Sequence, residues 1–445
     1  MPRHFIDFLH STDIAGIPDD VLETGRKWLL DLIGVAVAGS QTRLSRIIKD
    51  HSYEHFAPGH RKARMLFDGR ATSPVGAALA GGMTIDAMDG HDGHKLTKGH
   101  VGCGVLPALH AFAQAEAMDD DRAFLASLVV GYEIGTRTGI ALHRTASDYH
   151  TSGAWVAVAA AALGARTLGL GVAQTREALG IAEYHGPRSQ MMRAIDHPTM
   201  VKDGSGWGAM AGVSAAYLAQ DGFTGAPALT VEGADVADLW GDLGRLWRIE
   251  EQYFKHFPVC RWAQPAIQGI LDLRISHGLT SEDVERIEIV TFHEAVRLAT
   301  RAPRTTEEAQ YSTCYPSAVA MVHGRVGPGD IMIEGRTAPE VRRLSDGMIV
   351  RESDTFNAAF PARRFAEVTL ILRSGQRLVS GRMEAKGDPE DPASIADVRA
   401  KFQANAEPVL GPKRAMAIER AIDGLGRGDG LATFQDLICA PCGRS

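Results

Sequence analysis

Three stretches built largely from alanine, glycine and other apolar residues leave this chain few folds to choose from. They run Ser73 to Met88, Val105 to Ala117 and Val156 to Leu168, and each holds a single charged residue. None alternates polar and apolar positions as a half-buried strand would. Small side chains let helix axes approach closely, so each stretch reads as a buried helix. The Ser73-Pro-Val-Gly start of the first is a capping pattern. Residues 19 to 38 add an amphipathic helix with an acidic start, with Val21, Leu22, Trp28, Leu29, Leu32 and Ile33 on one broad stripe. From about residue 15 to 220 the pattern predicts an all-helical domain.

Near residue 250 the character changes. Glu285 to Phe292 alternates, and Phe365 to Leu372 and Gln376 to Ser380 flank Arg-Ser-Gly, a hairpin signal. Tyr311 to His323 reads as a helix between them. Ile395 to Asn405 and Ala415 to Leu425 return to the helical domain's character. The expected fold is mainly α with an α+β lid. Residues 1–256 and 390–445 form a discontinuous helical domain, and 257–389 form the smaller α+β lid. A length of 445 residues with 45% hydrophobic and 23% charged content suits two globular domains.

The net charge of −7 argues against a general nucleic-acid binder. The longest apolar run, Ala154 to Gly164, is too short to span a bilayer, and the N-terminus shows no signal-peptide pattern. Five scattered cysteines suggest reduced thiols in a cytoplasmic protein. The lone C-x-x-C, Cys439 to Cys442, has neither a βαβ context nor a second pair, and it is given no role.

Between the first two alanine-rich helices lies Met88 to Gly104, which packs Asp89, His91, Asp92, His94, Lys95, Lys98 and His100 into twelve positions. Such a loop suits a site that moves protons and holds an anion. The plain alternative is a solvated surface loop rich in histidine. A metal site on His91, Asp92, His94 and His100 ranks below acid–base chemistry, because the spacing matches no closed motif and the glycines oppose a helical His pair.

Other constellations are weaker alone. His150, in Asp148-Tyr-His-Thr-Ser-Gly153, precedes a buried helix that Thr151 or Ser152 would cap. Lys202 opens a glycine-rich approach to a helix that lacks the Gly-Lys-Ser/Thr ending of a phosphate loop, so it is a candidate for a substrate carboxylate instead. Lys255, His256 and Arg261 bring cations to the domain junction, where Cys260 reads as structural. Tyr311 and Tyr315 stand four apart, and only one of them needs to face a cleft.

In this order the motifs resemble those of the MmgE/PrpD family, which includes 2-methylcitrate dehydratase, cis-aconitate decarboxylase and iminodisuccinate epimerase. The resemblance runs from Leu30-Asp-Leu-Ile-Gly-Val-Ala-Val-Ala-Gly39 through Ala87-Met-Asp-Gly-His-Asp92, Gly99-His100 and His150-Thr-Ser-Gly153. It continues in Val201-Lys-Asp-Gly204, Phe257-Pro-Val-Cys-Arg261 and Glu308-Ala-Gln-Tyr-Ser312. It implies a helical domain with an α+β lid, a site in the cleft between them, and a homodimer. By motif, the catalytic residues fall on Asp89, His100, His150, Lys202 and Tyr315, with Asp92, His256 and Arg261 around the substrate. Three departures stand out. His91-Asp92-Gly93 replaces an Asp-Asp-Thr or Asp-Asp-Ser run, Asp203-Gly-Ser-Gly follows the lysine where some members carry a histidine, and Gln264 stands where a histidine is usual.

The family's reactions share a carbanion-like centre beside a carboxylate, which needs cations for carboxylates, a base and an acid. The expected function is a lyase that uses no cofactor and no metal and acts on a small di- or tricarboxylate. A 2-methylcitrate dehydratase-like hydro-lyase leads this expectation. A decarboxylase or epimerase on the same scaffold is the alternative, and a non-catalytic carboxylate- or metal-binding protein is a third.

Overall fold

The computed structural model describes residues 1–428 and 430–442. Its first domain is built on α1 (Asp19–Gly39), α2 (Pro74–Asp86), α3 (Gly102–Ala115), α4 (Asp121–Thr145), α5 (Gly153–Thr167) and α6 (Ser205–Gln220). The Ser73 side chain accepts the Gly76 N–H at 3.2 Å and Pro74 occupies the first turn of α2, so the expected cap is present. Every residue of α2 is buried except Val75.

Glycines set how closely these helices cross. A Cβ on Gly82 of α2 would lie 2.5 Å from the Gly206 Cα in α6. One on Gly208 would lie 2.3 Å from the Gly153 carbonyl at the start of α5. Backbones therefore touch backbones on two sides of α6. That contact draws the loop leaving α2 towards the turn entering α6, and the candidate site lies where the two meet.

The second domain carries a four-stranded sheet of β1 (Val284–Thr291), β2 (Ile349–Glu352), β3 (Ala366–Leu372) and β4 (Arg377–Met383), in the order β2-β1-β3-β4. The β1–β2 pair is parallel and the other two pairs are antiparallel, with Ile287 opposite Leu370 and Ile289 opposite Val368. Ile287, Ile289, Val368 and Leu370 are buried in one core with Ile267 and Ile270 of α7 (Gln264–Ser276) and Val319 of α8 (Cys314–His323). The expected hairpin forms, with the Leu372 N–H donating to the Gln376 carbonyl at 2.9 Å across a turn whose Gly375 takes a φ of 86°.

The chain then returns to the helical domain through α9 (Ile395–Leu410). Phe402 packs against Gly34 of α1, where a Cβ would stand 3.1 Å from the ring. Lys401 donates to the Asp31 carboxylate at 2.7 Å and also to the Gly90 carbonyl in the site loop. Phe402, Ile418 and Phe434 belong to the same core as Trp28 and Trp155.

One element starts later than its pattern suggests. A helix was expected from Tyr311, but a short helix, Thr306–Gln310, ends just before it and α8 begins at Cys314. Between them Ser312 bridges to Ala299 and the Thr313 N–H donates to the Leu298 carbonyl at 3.0 Å. That pairing pulls Tyr311 out of the helical register of Tyr315.

The α2–α6 crossing yields a prediction. Gly206→Ala places a methyl 2.5 Å from the Leu79 carbonyl and 2.7 Å from the Met83 amide. Backbone cannot yield as a side-chain tip can, so the expected loss is about 1–3 kcal/mol or more. It would read as a melting midpoint lowered by several degrees in differential scanning calorimetry. An unchanged midpoint would show that the crossing tolerates separation.

Candidate active site

The loop between α2 and α3 is not a solvated surface. Asp89, His91, Asp92, His94 and His100 are all buried. A two-residue ladder pairs Gly93 and His94 with Tyr253 and Gln252, and His94 bridges back to Gly99. The loop is thus held on one side by the segment that leads into the second domain.

Around it lies a dry cluster of charge. Lys255 forms a salt bridge with Asp89, whose backbone N–H donates to Gln310 Oε1 at 2.9 Å. Gln310 belongs to the second domain, and its Oε1 also accepts from Lys202 Nζ at 2.6 Å while its Nε2 donates to the Ala87 carbonyl at 3.0 Å. The Lys202 ammonium stands 4.5 Å from the centre of the Tyr311 ring. Lys202 itself takes a left-handed backbone with φ of 49°, a conformation rare outside glycine. The turn before α6 holds that strain and aims the ammonium inward.

His100 sits between the carboxylates. Its Nδ1 lies 2.6 Å from the Asp92 carbonyl. A carbonyl only accepts, so Nδ1 carries the proton and a neutral ring leaves Nε2 as a lone pair. That Nε2 is 3.7 Å from Asp203 Oδ2 and 3.9 Å from Asp89 Oδ1. Ser152 was expected to cap α5. Its hydroxyl instead accepts the His100 N–H at 2.9 Å and donates to Asp203 Oδ2 at 2.7 Å. His91 meets the His100 ring edge-on, with centroids 4.4 Å apart, and its Nε2 is 3.5 Å from Asp86 Oδ1.

Burial and charge divide the protons. Burial pushes His100 well below the ordinary imidazole value, and Lys255 pushes it further, so the ring is neutral. His91 falls to about 3, again chiefly by burial and then by Lys255. Burial works to raise Asp89, but Lys255 and Lys202 outweigh it and hold the carboxyl far below the usual range. Asp203 and Asp86 move the other way. Burial raises both, Asp86 adds repulsion on Asp203, and Lys202 only partly offsets the rise on Asp86. The cluster therefore contains a neutral imidazole, an ionised carboxylate and two carboxyls raised towards neutral pH. Such a set can take up or return a proton near neutral pH.

The structure brings together Asp89, His100 and Lys202 among the residues chosen from sequence, and it places the others differently. The Tyr315 hydroxyl donates to the Asp330 carbonyl at 2.9 Å, and Tyr311 takes the position beneath Lys202. Arg261 is committed to the carbonyls of Phe254, Ala385 and Lys386 and to Asp388, which makes it a brace for the junction. His256 is half-buried with its ring 4.8 Å from Phe254, and burial followed by Lys401 lowers it to about 4. The Asp92 carboxyl turns into the helical core, accepting from Tyr132 at 3.1 Å, while its carbonyl orients His100. The His150 ring lines a neighbouring cavity of about 610 Å³ with Asp148, Glu183 and Arg188. Of the residues considered for a metal, His94 bonds Glu251 at 2.9 Å. Among the described residues no three such side chains are grouped to hold a metal ion.

The sequence reading gave no site role to Asp203 or Gln310, and it named Lys255 and Tyr311 without choosing them. The signals were present: Asp203 follows Lys202 directly, and Gln310 and Tyr311 lie inside the Ala-Gln-Tyr-Ser motif. Lys255 was one of three junction cations, and only the fold shows that it reaches Asp89 while Arg261 is held by Asp388.

A helical domain with an α+β lid and a buried acid–base cluster beside their junction defines a class of lyase-type enzymes. The chain belongs to the MmgE/PrpD family: the MmgE/PrpD N-terminal domain matches residues 3–239 and the MmgE/PrpD C-terminal domain matches residues 257–426. Cis-aconitate decarboxylase of Mus musculus is 23% identical over 430 residues, covering 91% of this chain and 86% of that protein. The Homo sapiens cis-aconitate decarboxylase is 23% identical over 437 residues, covering 91% and 88%. The cis-aconitate decarboxylase-like protein oryM of Aspergillus oryzae is 30% identical over 234 residues, but the match spans only 47% of this chain and 45% of that protein. Among the described residues no helix is long and apolar enough to cross a membrane.

Two predictions test the cluster. Lys255→Met strands the Asp89 carboxylate in a dry site and costs about 3–5 kcal/mol. Adding Asp89→Asn removes the stranded charge, so the double variant should be more stable in urea than the Lys255→Met single. A double variant that is less stable would show that the pair is not the dominant interaction. The second concerns Asp92, which burial, with help from Asp31, pushes up to about 7. A raised folded pKa gives stability that is present below the unfolded value near 4 and lost as pH rises through about 7. Asp92→Asn should flatten this fall, which has a slope of up to about 1.4 kcal/mol per pH unit. Urea titrations between about pH 5 and 8 measure it, and equal slopes in both proteins would remove Asp92 as its source.

Proposed function

We propose that this protein is a carboxylate lyase that works with its own side chains on a small di- or tricarboxylate. The observation that carries the reading is a neutral His100, its Nδ1 bound to the Asp92 carbonyl, in one buried cluster with Lys202 and Lys255. The two ammonium groups hold substrate carboxylates once their present partners, Gln310 and Asp89, give way. The His100 Nε2 lone pair removes or returns the proton at the carbon beside a carboxylate. Cations close to that carbon stabilise the charge that develops there.

Decarboxylation of a cis-aconitate-like acid is the reaction to test first, because full-length relatives carry that name. In that reaction the bond to one carboxylate breaks and carbon dioxide leaves. The electron pair left on carbon shifts through the adjacent double bond, and the proton that neutralises it comes from the Asp203 carboxyl, relayed through His100 Nε2 3.7 Å away. Dehydration of a 2-methylcitrate-like acid is the second reading. Asp203 favours it, since a carboxyl beside His100 that burial raises towards neutral pH is suited to protonating a departing hydroxyl. The homodimer implied by the family resemblance and the cytoplasmic setting suggested by the scattered cysteines are part of the same proposal.

The test is proton NMR in deuterated water with cis-aconitate, 2-methylcitrate, citrate, itaconate and iminodisuccinate. Carbon dioxide loss, water loss or deuterium at an α-carbon identifies the reaction class. His100→Asn and Lys202→Ala should each slow it by roughly 100-fold or more. Full activity in His100→Asn would sink the assignment of the base. A wild-type protein that leaves every acid unchanged and unexchanged would count against the lyase reading.

A further inference from the structure

One buried cation near the cluster has the Tyr253 hydroxyl for a partner but no salt bridge to a carboxylate among the described residues. Arg364 lies just before β3 and is only 4% exposed, yet its Nε and Nη1 are buried without a hydrogen-bond partner. A guanidinium is never neutral in a protein, and leaving its N–H groups dry and unpaired is costly. Its backbone is well fixed. The Arg364 N–H donates to Glu384 Oε1 at 3.4 Å, and the Thr291 hydroxyl donates to the next residue's carbonyl at 2.8 Å.

The surroundings explain why no protein acid satisfies it. The Arg364 guanidinium stands 5.3 Å from the centre of the Tyr253 ring, and Arg261 stands 4.8 Å from the same ring. Asp388 is already taken by Arg261 and by Lys95 at 3.2 Å. Lys98 is close enough that the charge of Arg364 lowers its pKa, after burial and against the opposing pull of Glu294. This corner is positive and short of an anion. It is also one ring away from the proposed base, since the Tyr253 and His100 rings meet edge-on with centroids 6.4 Å apart.

We propose that Arg364 is a specificity-determining residue. Its planar fork, carried by the second domain, binds a further carboxylate of the substrate, one that is not held by Lys202 or Lys255. The inference rests on the carboxylate-lyase reading and extends it from acids in general to tricarboxylates in preference to dicarboxylates. An Arg fork matches a carboxylate with two parallel hydrogen bonds, which a single ammonium cannot do.

Calorimetric titration with tricarballylate and glutarate, neither of which has a hydroxyl to expel, separates binding from turnover. The wild-type protein should bind tricarballylate more tightly than glutarate. Arg364→Gln should weaken tricarballylate by roughly 30-fold or more and leave glutarate nearly unchanged. Arg364→Lys, which keeps the charge and loses the fork, should recover only part of the loss, and it serves as the second variant if the glutamine protein melts early. Equal losses for both acids, no loss for either, or no binding of tricarballylate by the wild-type protein would overturn the proposal. A wild-type protein that shows this binding pattern and turns over none of the acids would overturn the lyase reading alone.

Discussion

A buried ammonium cannot stand alone, and most of the site follows from that constraint. Lys255 and Lys202 are both almost wholly out of water, with a carboxylate against the first and an amide against the second. Desolvation of a charge costs several kcal/mol unless a partner restores what water gave. The partners come from places far apart in sequence: Asp89 from the loop after α2, and Gln310 from the other domain. The same groups set the proton inventory. The lysines keep Asp89 ionised, and with burial they keep His100 and His91 neutral.

That arrangement needs a scaffold with almost no tolerance in it. The crossing of α2 and α6 is set by Gly82 and Gly206, and the start of α5 meets α6 through Gly153 and Gly208. Asp86 ends α2, Lys202 and Asp203 precede α6, and Ser152 precedes α5. Asp86, Ser152, Lys202 and Asp203 are thus each within a few residues of a backbone-on-backbone contact. Packing that close has little freedom to relax, which is what pre-organisation of a reacting centre requires.

Much of the fold was legible because it rests on local pattern. Alanine-rich runs, the capping serine and the alternation at Glu285–Phe292 each state their own structure. The site was only half legible, for reasons that differ by residue. Tyr311 and Tyr315 appear equivalent at a spacing of four, and only the bridge between Ser312 and Ala299 breaks that equivalence. Arg261 has the charge for a substrate, yet nearby carbonyls consume it. Asp92 has the chemistry of a site residue, and the fold uses its carbonyl in the site while burying its carboxyl elsewhere. Residue type gives capacity; the direction in which a side chain points depends on contacts hundreds of residues away.

The tie from Lys401 has a consequence for how the molecule is made. Lys401 donates to Asp31, 370 residues earlier, and to the carbonyl of Gly90 in the site loop. Synthesis at about 5–20 residues per second separates Asp31 from Lys401 by roughly 20–70 s. Throughout that interval α1 lacks the helix that covers Gly34, and the loop lacks the ammonium that closes over it. A nascent chain can therefore assemble α2 to α6 and still lack a finished reacting centre. Completion waits for α9, so a stretch made late decides when a stretch made early becomes competent.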